Sequence, residues 1–175
     1  ATYAYDGDNT GYETELRPGT IMARLTTSLL WVPCKRTRLN GAVSSSENIV
    51  VDDARAFKVG DEITVGNETG LIIDAINYST NTISLTVATV DGANDAVVIG
   101  SGTALAGSEL ARGILDEYVD LYDVNTKTNV DRQVGRIVTS NAKILTTMVL
   151  GDLTSILLAT DTMNHIQFYT NGVQV

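Results

Sequence analysis

Five short β-strand patterns follow one another between residues 48 and 100, and turn residues separate them. The turns fall at 58–61, 67–70 and 79–81, where Gly, Asn, Asp and Ser dominate. Short strands at this regular spacing, joined by tight turns, are typical of a small antiparallel barrel or sandwich. The predicted strands are 48–53, 61–66, 69–78, 81–90 and 95–100.

Segments of linker-like composition flank this strand series. "NGAVSSSE" at 40–47 and "GSGTALAGS" at 100–108 are rich in Gly and Ser. They predict that 41–104 is a small β domain inserted into a loop of a host domain. Nine acidic and two basic side chains give the insert −7 of the formal net charge of −9, whereas residues 16–46 contain five bases and no acid. The charge pattern indicates two units with different surroundings.

The flanking segments predict further β structure and one helix. Strands are expected at 20–37, 111–124 and 132–150, and Pro33 places the end of the first at a sheet edge or strand end. Helix and strand patterns both half fit 111–124, where Gly113 and the β-branched and aromatic content favour a strand, and Ser140-Asn141 is a possible turn within 132–150. Asp152 is a good N-cap for a helix at 151–166, where apolar residues follow helical spacing. The predicted fold class is therefore mainly β, with one short C-terminal helix and an inserted antiparallel β domain.

Residues 1–15 form a polar stretch that contains three tyrosines, Tyr3, Tyr5 and Tyr12. We interpret it as a flexible arm whose aromatic side chains become ordered against a partner. Asp6, Asp8 and Gly11 follow the opening of a calcium-binding loop, but the twelfth position, which needs a bidentate Glu, is Arg17. No metal site is predicted there.

Catalytic signatures are missing from the sequence. His165 and Cys34 are the only residues of their types, and neither has partners nearby in sequence for a metal set or a nucleophile. We interpret the acidic pairs Asp52-Asp53 and Asp116-Glu117 as surface carboxylates. No phosphate-binding or nucleophile-elbow motif occurs. The prediction is a non-enzyme without cofactor.

Two classes of partner are also disfavoured. The net charge of −9 argues against nucleic-acid binding. No apolar run approaches the roughly 18 residues of a membrane span, and the start shows no signal-peptide pattern.

Two segments resemble a known family. "LRPGTIMARLTTSLLWVPC" (16–34) is similar to the "G-T-V-L-G…Y-V-P" pattern of phage head decoration proteins of the lambda gpD type, with Gly19, Thr20 and Pro33 at matching positions. "GSELARGILDEYVDLYD" (107–123) resembles the family's "A-x-G-I-L-x-x-x-V-D", and "VGRIVTSNAKI" (134–144) is similar to its next strand. The residues that match the second motif are Ala111, Gly113, Ile114, Leu115, Val119 and Asp120.

The resemblance implies a β-tulip-like host domain formed by 16–40 and 105–175. It implies a homotrimer that sits on the outer surface of a phage capsid, contacts the major capsid protein and stabilises the head, with no nucleic-acid or membrane partner. The arm, 1–15, would order against the shell, and its capsid contacts would be Tyr3, Tyr5, Tyr12 and Leu16.

The insert is the departure from the family, which joins its two motifs by a short spacer. "AFKVGDEITV" within 41–104 is similar to small β-barrel modules appended to phage structural proteins.

Three other functions remain open at this stage. The chain could be a phage tail, neck or fibre protein, which would also be rich in β structure. It could be a glycan-active or protease-like enzyme whose acids converge only in the fold. Residues 41–104 could be a carbohydrate-binding module, although the segment offers Phe57 and Tyr78 but no Trp.

Overall fold

The fold is described from a computed structural model of the chain. Within the residues that the structure describes, strands in curled antiparallel sheets dominate and no helix occurs, so the mainly β prediction is confirmed. The predicted helix lies outside these residues, apart from Ile166, which begins a strand. The described residues are 15–87, 90–120, 122–123, 128–129, 135–139, 142–145, 149–150, 166–170 and 173–174.

The first strands form a hairpin where one long strand was expected. Thr26, Thr27 and Ser28 make a turn, and the Leu25 amide donates to the Leu30 carbonyl at 2.9 Å. The second arm of the hairpin ends at Pro33, which offers no N–H, and it is the edge of its sheet, as the sequence predicted. These strands are β1 (Glu15–Leu16), β2 (Ile21–Arg24) and β3 (Trp31–Pro33).

Residues 36–100 form a six-stranded antiparallel sheet in the order β4-β11-β7-β8-β9-β6, with a β5-β10 ribbon beside it. Its two edge strands meet through a bridge between Leu39 and Val51, so the sheet curls into a barrel. The strands are β4 (Arg36–Arg38), β5 (Val43–Ser46), β6 (Asn48–Val50), β7 (Glu62–Val65), β8 (Glu68–Asn77), β9 (Thr82–Leu85), β10 (Val90–Gly92) and β11 (Val97–Gly100).

Alternation along the strands fills the barrel. In β7, β9 and β11 every second residue is buried, as expected when one face of each strand points inward. Phe57 closes the interior from the 54–60 loop and is fully buried. The barrel core consists of Leu39, Ile49, Val51, Ala54, Phe57, Ile63, Val65, Leu71, Ile73, Ile83, Leu85, Val90 and Val98.

The entry and exit strands of the barrel are neighbours. β4 pairs with β11, and the Gly100 amide donates to the Lys35 carbonyl at 2.9 Å. Adjacent ends allow a compact unit to sit within a loop of another.

Both segments that were expected to be linkers are structured instead. The 40–47 segment contains β5, which pairs with β10, and the sheet already starts at Arg36. The 100–108 segment is a series of turns in which Gly107 and Ser108 are buried. Its carbonyls hold the hairpin turn and the segment after the hairpin, since the Thr26 amide donates to the Ala106 carbonyl and the Lys35 amide donates to the Ser108 carbonyl. Composition misled here because serine and glycine also suit paired edges and tight turns.

The remaining strands complete a second unit, the host sheet, in the order β16-β12-β2-β3. A separate sheet joins β17 to β18 in parallel and β18 to β19 antiparallel. β1 pairs with β13, and β14 with β15. The strands are β12 (Ala111–Leu115), β13 (Val119–Asp120), β14 (Tyr122–Asp123), β15 (Thr128–Asn129), β16 (Ile137–Val138), β17 (Ala142–Leu145), β18 (Ile166–Thr170) and β19 (Val173–Gln174).

Strand β2 is buried on both faces. Ile21 and Ala23 point into one cluster that includes Ile166. Met22 points into the other, against which Ala56 of the barrel packs. The host sheet is therefore a middle layer, and the barrel covers part of one of its faces.

Candidate functional site

The two motif segments, which the barrel separates in sequence, meet in the host sheet. β2 pairs with β12, with Ile21 opposite Ile114, and β1 pairs with β13, with Leu16 opposite Val119. We call this contact between 16–34 and 111–120 the motif seam.

Pro18 and Gly19 form the turn at the centre of the motif seam, and Thr20 closes it. Gly19 has φ of 95°, in the left-handed region that favours glycine, and its amide donates to the Leu115 carbonyl at 2.7 Å. The Thr20 hydroxyl donates to the Arg17 carbonyl at 2.8 Å, which closes the turn. Leu150 then joins the same ladder through its amide, which donates to the Gly19 carbonyl.

Gly113 is required by close packing. It follows a bulge in β12, and a Cβ built there would lie 2.6 Å from Ile137 Cγ2 and 2.7 Å from the Val138 carbonyl oxygen. Because one of these neighbours is backbone, a side chain would displace β16.

The other predicted site residues have mixed outcomes. Ile114 and Leu115 are core residues of the seam, and Asp120 is paired with Glu15 in the β1–β13 register. Leu16 is only 8% exposed and packs with Met22, Leu115 and Val119, so it is a core residue and not an exposed docking residue. Glu15 already belongs to β1, which shortens the predicted arm by one residue. Tyr3, Tyr5 and Tyr12 lie outside the described residues, as do Asp6, Asp8 and His165.

A buried ion pair joins the barrel to the host. Lys35, between β3 and β4, donates from Nζ to Asp61 Oδ2 at 2.5 Å and to the Ala56 carbonyl at 2.7 Å. Both side chains are largely buried, and the ammonium lies 5.8 Å from the Phe57 ring centroid. Burial lowers the pKa of Lys35, and the charge and hydrogen bond of Asp61 oppose that shift. The pair fixes the base of the barrel against the end of the host hairpin.

Cys34 adjoins that pair in the host core. Burial raises the pKa of its thiol to about 12, with Arg36 lowering it and Glu109 raising it further. At neutral pH the side chain is a thiol, which is a weak nucleophile, so it behaves as the buried hydrophobe expected from the sequence.

In the described ranges, carboxylates of both acidic pairs form ion pairs with arginine side chains. Arg55 binds Asp53 at 2.7 Å, and Arg38 binds Asp52 at 2.8 Å. Arg136 binds Asp116 at 2.8 Å on the surface. Among the described residues, no group of three or more His, Cys, Asp or Glu side chains is arranged to hold a metal ion.

One exposed feature was not predicted from the sequence: the tip of the β2–β3 hairpin (24–31), which we call the hairpin tip. Leu29 is 56% exposed and Trp31 is 36% exposed, and Arg24 lies directly opposite Trp31. The available signal was the apolar run Leu29-Leu30-Trp31 next to turn residues, which the strand pattern absorbs into one continuous strand.

Comparison of the chain with protein-family models, with curated proteins and with solved structures gives no match. The described part of the chain contains no helix that is long and apolar enough to cross a membrane.

Proposed function

We propose that the chain is a structural virion protein that binds the outer surface of a phage capsid, as a trimer, and stabilises the head. The observation behind this proposal is the motif seam. The two segments that resemble decoration proteins are separated by a barrel of more than sixty residues, yet they pair strand to strand and share one core. Two motifs of one family that form one unit support a common origin better than either does alone.

The finer fold assignment belongs to the same proposal. The host unit, expected from the sequence at 16–40 and 105–175, would have the β-tulip fold, with its first segment ending at Lys35 because Arg36 already starts a strand of the barrel sheet. Residues 151–166 would supply its short helix. The barrel, with nine acidic and four basic side chains in 36–100, would project outward, where like charge limits clumping of particles.

The proposed partners are the major capsid protein and two further copies of this chain, with neither nucleic acid nor membrane. The arm would dock on the shell. Tyr3, Tyr5 and Tyr12 would supply large apolar contacts at low entropic cost. Several arms per trimer would add by avidity.

Removal of residues 1–14 tests this docking. Glu15 and Leu16 are kept because they pair with β13. We expect the melting temperature to stay nearly constant, because Leu16 and its core remain, while binding to heads falls strongly. Each of Tyr3→Ala, Tyr5→Ala and Tyr12→Ala should cost about 1–3 kcal/mol of binding if its ring is an anchor.

The matched control is Tyr118→Ala, a half-exposed tyrosine outside the arm, which should leave head binding unchanged. Wild-type head affinity of the truncated chain would refute arm docking. Calcium removal should leave the stability of the free chain unchanged.

The competing function is a tail, neck or fibre protein. The same binding assay with purified tails in place of heads separates the two functions, because the proposed decoration protein should bind heads and not tails.

A further inference from the structure

The hairpin tip is held rigidly in a conformation that displays an apolar side chain. Leu29 has φ of 60°, a left-handed backbone conformation that costs a non-glycine residue about 1 kcal/mol. Its amide donates to the Leu25 carbonyl at 3.1 Å, and its carbonyl accepts from Arg24 Nε at 3.1 Å. Two bonds from Thr26 to the Ala106 carbonyl fix the tip to the rest of the chain. Strain held in place at an exposed leucine points to a recognition role.

The composition of the hairpin tip is that of an interface anchor. Trp and Arg are enriched at binding hot spots, and here Trp31 and Arg24 lie side by side with Leu29 next to them. Arg24 makes no ion pair within the described part of the chain, so its charge is available to a partner.

The contact would be made by side chains and not by strand addition. The Cys34 amide donates inward to the Ile21 carbonyl. Because backbone groups alternate between the two edges of a strand, those of Trp31 and Pro33 point to the outer, unpaired edge of β3. Pro33 has no N–H to offer there, which protects the edge from an added strand.

A complementary surface lies on the barrel of the same chain, which we call the acidic patch: Val59, Glu62, Ile72 and Asp74. Ile72 on β8 lies directly opposite Glu62 on β7. The loop that carries Val59 is held beside them, because the Gly60 amide donates a hydrogen bond to the Ile73 carbonyl of β8. Val59 is 62% exposed and Ile72 is 36% exposed. Lys58 is an exposed base beside the patch, but the barrel as a whole has a net charge of −5.

We propose that the hairpin tip of one copy docks on the acidic patch of a second copy, with Leu29 and Trp31 against Ile72 and Val59, and with Arg24 between Glu62 and Asp74. The partner is assigned by charge and by apolar surface on both sides. This contact specifies the self-association in the proposed function and in that respect rests on it.

Charge reversal on the free chain tests the contact, with sedimentation equilibrium as the readout. Asp74→Lys and Arg24→Glu should each weaken self-association at least about tenfold. The double variant Arg24→Glu/Asp74→Lys should associate again, because in every contact of the trimer the carboxylate introduced at position 24 of one copy then meets the ammonium introduced at position 74 of the next. Asp74 is exposed and makes no ion pair within the described ranges. Asp74→Lys should therefore leave the fold intact, and it tests the contact even if Arg24→Glu disturbs the hairpin tip.

Val50→Ser is the matched control, since Val50 is an exposed valine on β6, two strands away from β8. It should associate like the wild type, whereas Val59→Ser should associate less. A monomeric wild type at high concentration would overturn the proposal, and so would Asp74→Lys with wild-type association or a folded double variant that stays dissociated. Head binding of the wild type is measured separately. A wild type that self-associates through this contact but does not bind heads contradicts only the proposed function, whereas a wild type that binds heads without self-association contradicts only the contact.

Discussion

The barrel and the host sheet reach stability by different routes. The barrel core comes from thirteen residues within one continuous stretch, 39–98, and the barrel closes on itself through the Leu39–Val51 bridge. The host core comes from segments as far apart as Leu16 and Ile166, and one of its clusters also uses Ala56 of the barrel. The barrel is therefore expected to be the more autonomous unit, and the host sheet the more sensitive to distant changes.

Cys34 allows the two units to be followed separately. It is the only cysteine, it is buried in the host core, and its raised pKa keeps it unreactive at neutral pH. Pulsed thiol labelling therefore reports opening of the host, while amide exchange in β7, β8 and β9 reports opening of the barrel.

The largest effect is expected from Phe57→Ala. This ring is fully buried in the barrel, and its removal should lower the free energy of unfolding of the barrel by about 3–5 kcal/mol. Amide exchange in β7–β9 should accelerate accordingly, and Cys34 labelling should change less. Equal acceleration of amide exchange and of Cys34 labelling would mean that the two units unfold as one, and that the barrel is not the more autonomous unit.

Asp61→Asn should weaken the joint between the units. It leaves the Lys35 ammonium buried without its counter-charge, at a cost of about 2–3 kcal/mol near pH 7. Asp61 raises the pKa of Lys35, so its loss lets burial lower that pKa further below the ordinary 10.5. The unfolded chain then binds more protons than the folded chain between the two pKa values, so stability should rise with pH in that window.

Denaturation of wild type and Asp61→Asn across the neutral to alkaline range measures this difference. The deficit of the variant should shrink as the pH approaches 10.5. A deficit that is constant with pH would show that the charge of Lys35 is not its cause. Asp91→Asn, at an exposed barrel carboxylate, is the control that should show no such pH dependence.

Gly113→Ala should also be destabilising, but unlike Phe57→Ala it should destabilise the host more than the barrel. The added Cβ would meet Ile137 and the Val138 carbonyl, and overpacking of this kind costs about 1–3 kcal/mol. Cys34 labelling should accelerate while exchange in the barrel stays near that of the wild type. Gly66→Asn is the control, because its φ of 57° suits Asn and a Cβ there meets only Ala96 at 3.8 Å. Unchanged labelling in Gly113→Ala would contradict the tight packing of the motif seam.

Leu29→Gly should change the free energy of unfolding least of the four variants, and it should raise this free energy where the other three lower it. Glycine adopts the left-handed conformation without strain, so the free energy of unfolding should rise by up to about 1 kcal/mol, less the entropy that glycine loses on folding. Self-association should weaken, because the apolar anchor is gone. A variant that is less stable and associates normally would show that Leu29 is a structural residue.

The barrel was predictable from the sequence to the extent that its interactions are local. Alternating Ile63/Val65 and Ile83/Leu85 indicated the strands, and turn residues indicated their connections. Val43–Ser46 was missed because its partner, β10, lies more than forty residues away, and composition alone cannot distinguish a paired edge from a linker. Arg36–Arg38 was joined to the preceding strand for the same reason, since its neighbour is β11.

The site residues were likewise predictable only where their role depends on neighbours that are close in sequence. The resemblance identified Gly19 and Gly113 from local motifs, but the burial of Leu16 depends on Val119 and Leu115, which only the fold brings close. Lys35–Asp61 and the Leu29 conformation have no sequence motif. A buried lysine and a strained leucine are visible only once their surroundings are known.

The most direct test of the account is equilibrium binding of the full chain to purified DNA-filled heads and, in parallel, to tails of the same virus. A decoration protein should bind saturably to the heads alone, in multiples of three copies per binding position, and should raise the temperature at which the heads release DNA. Binding to tails, or heads that neither retain the chain nor gain stability, would contradict it.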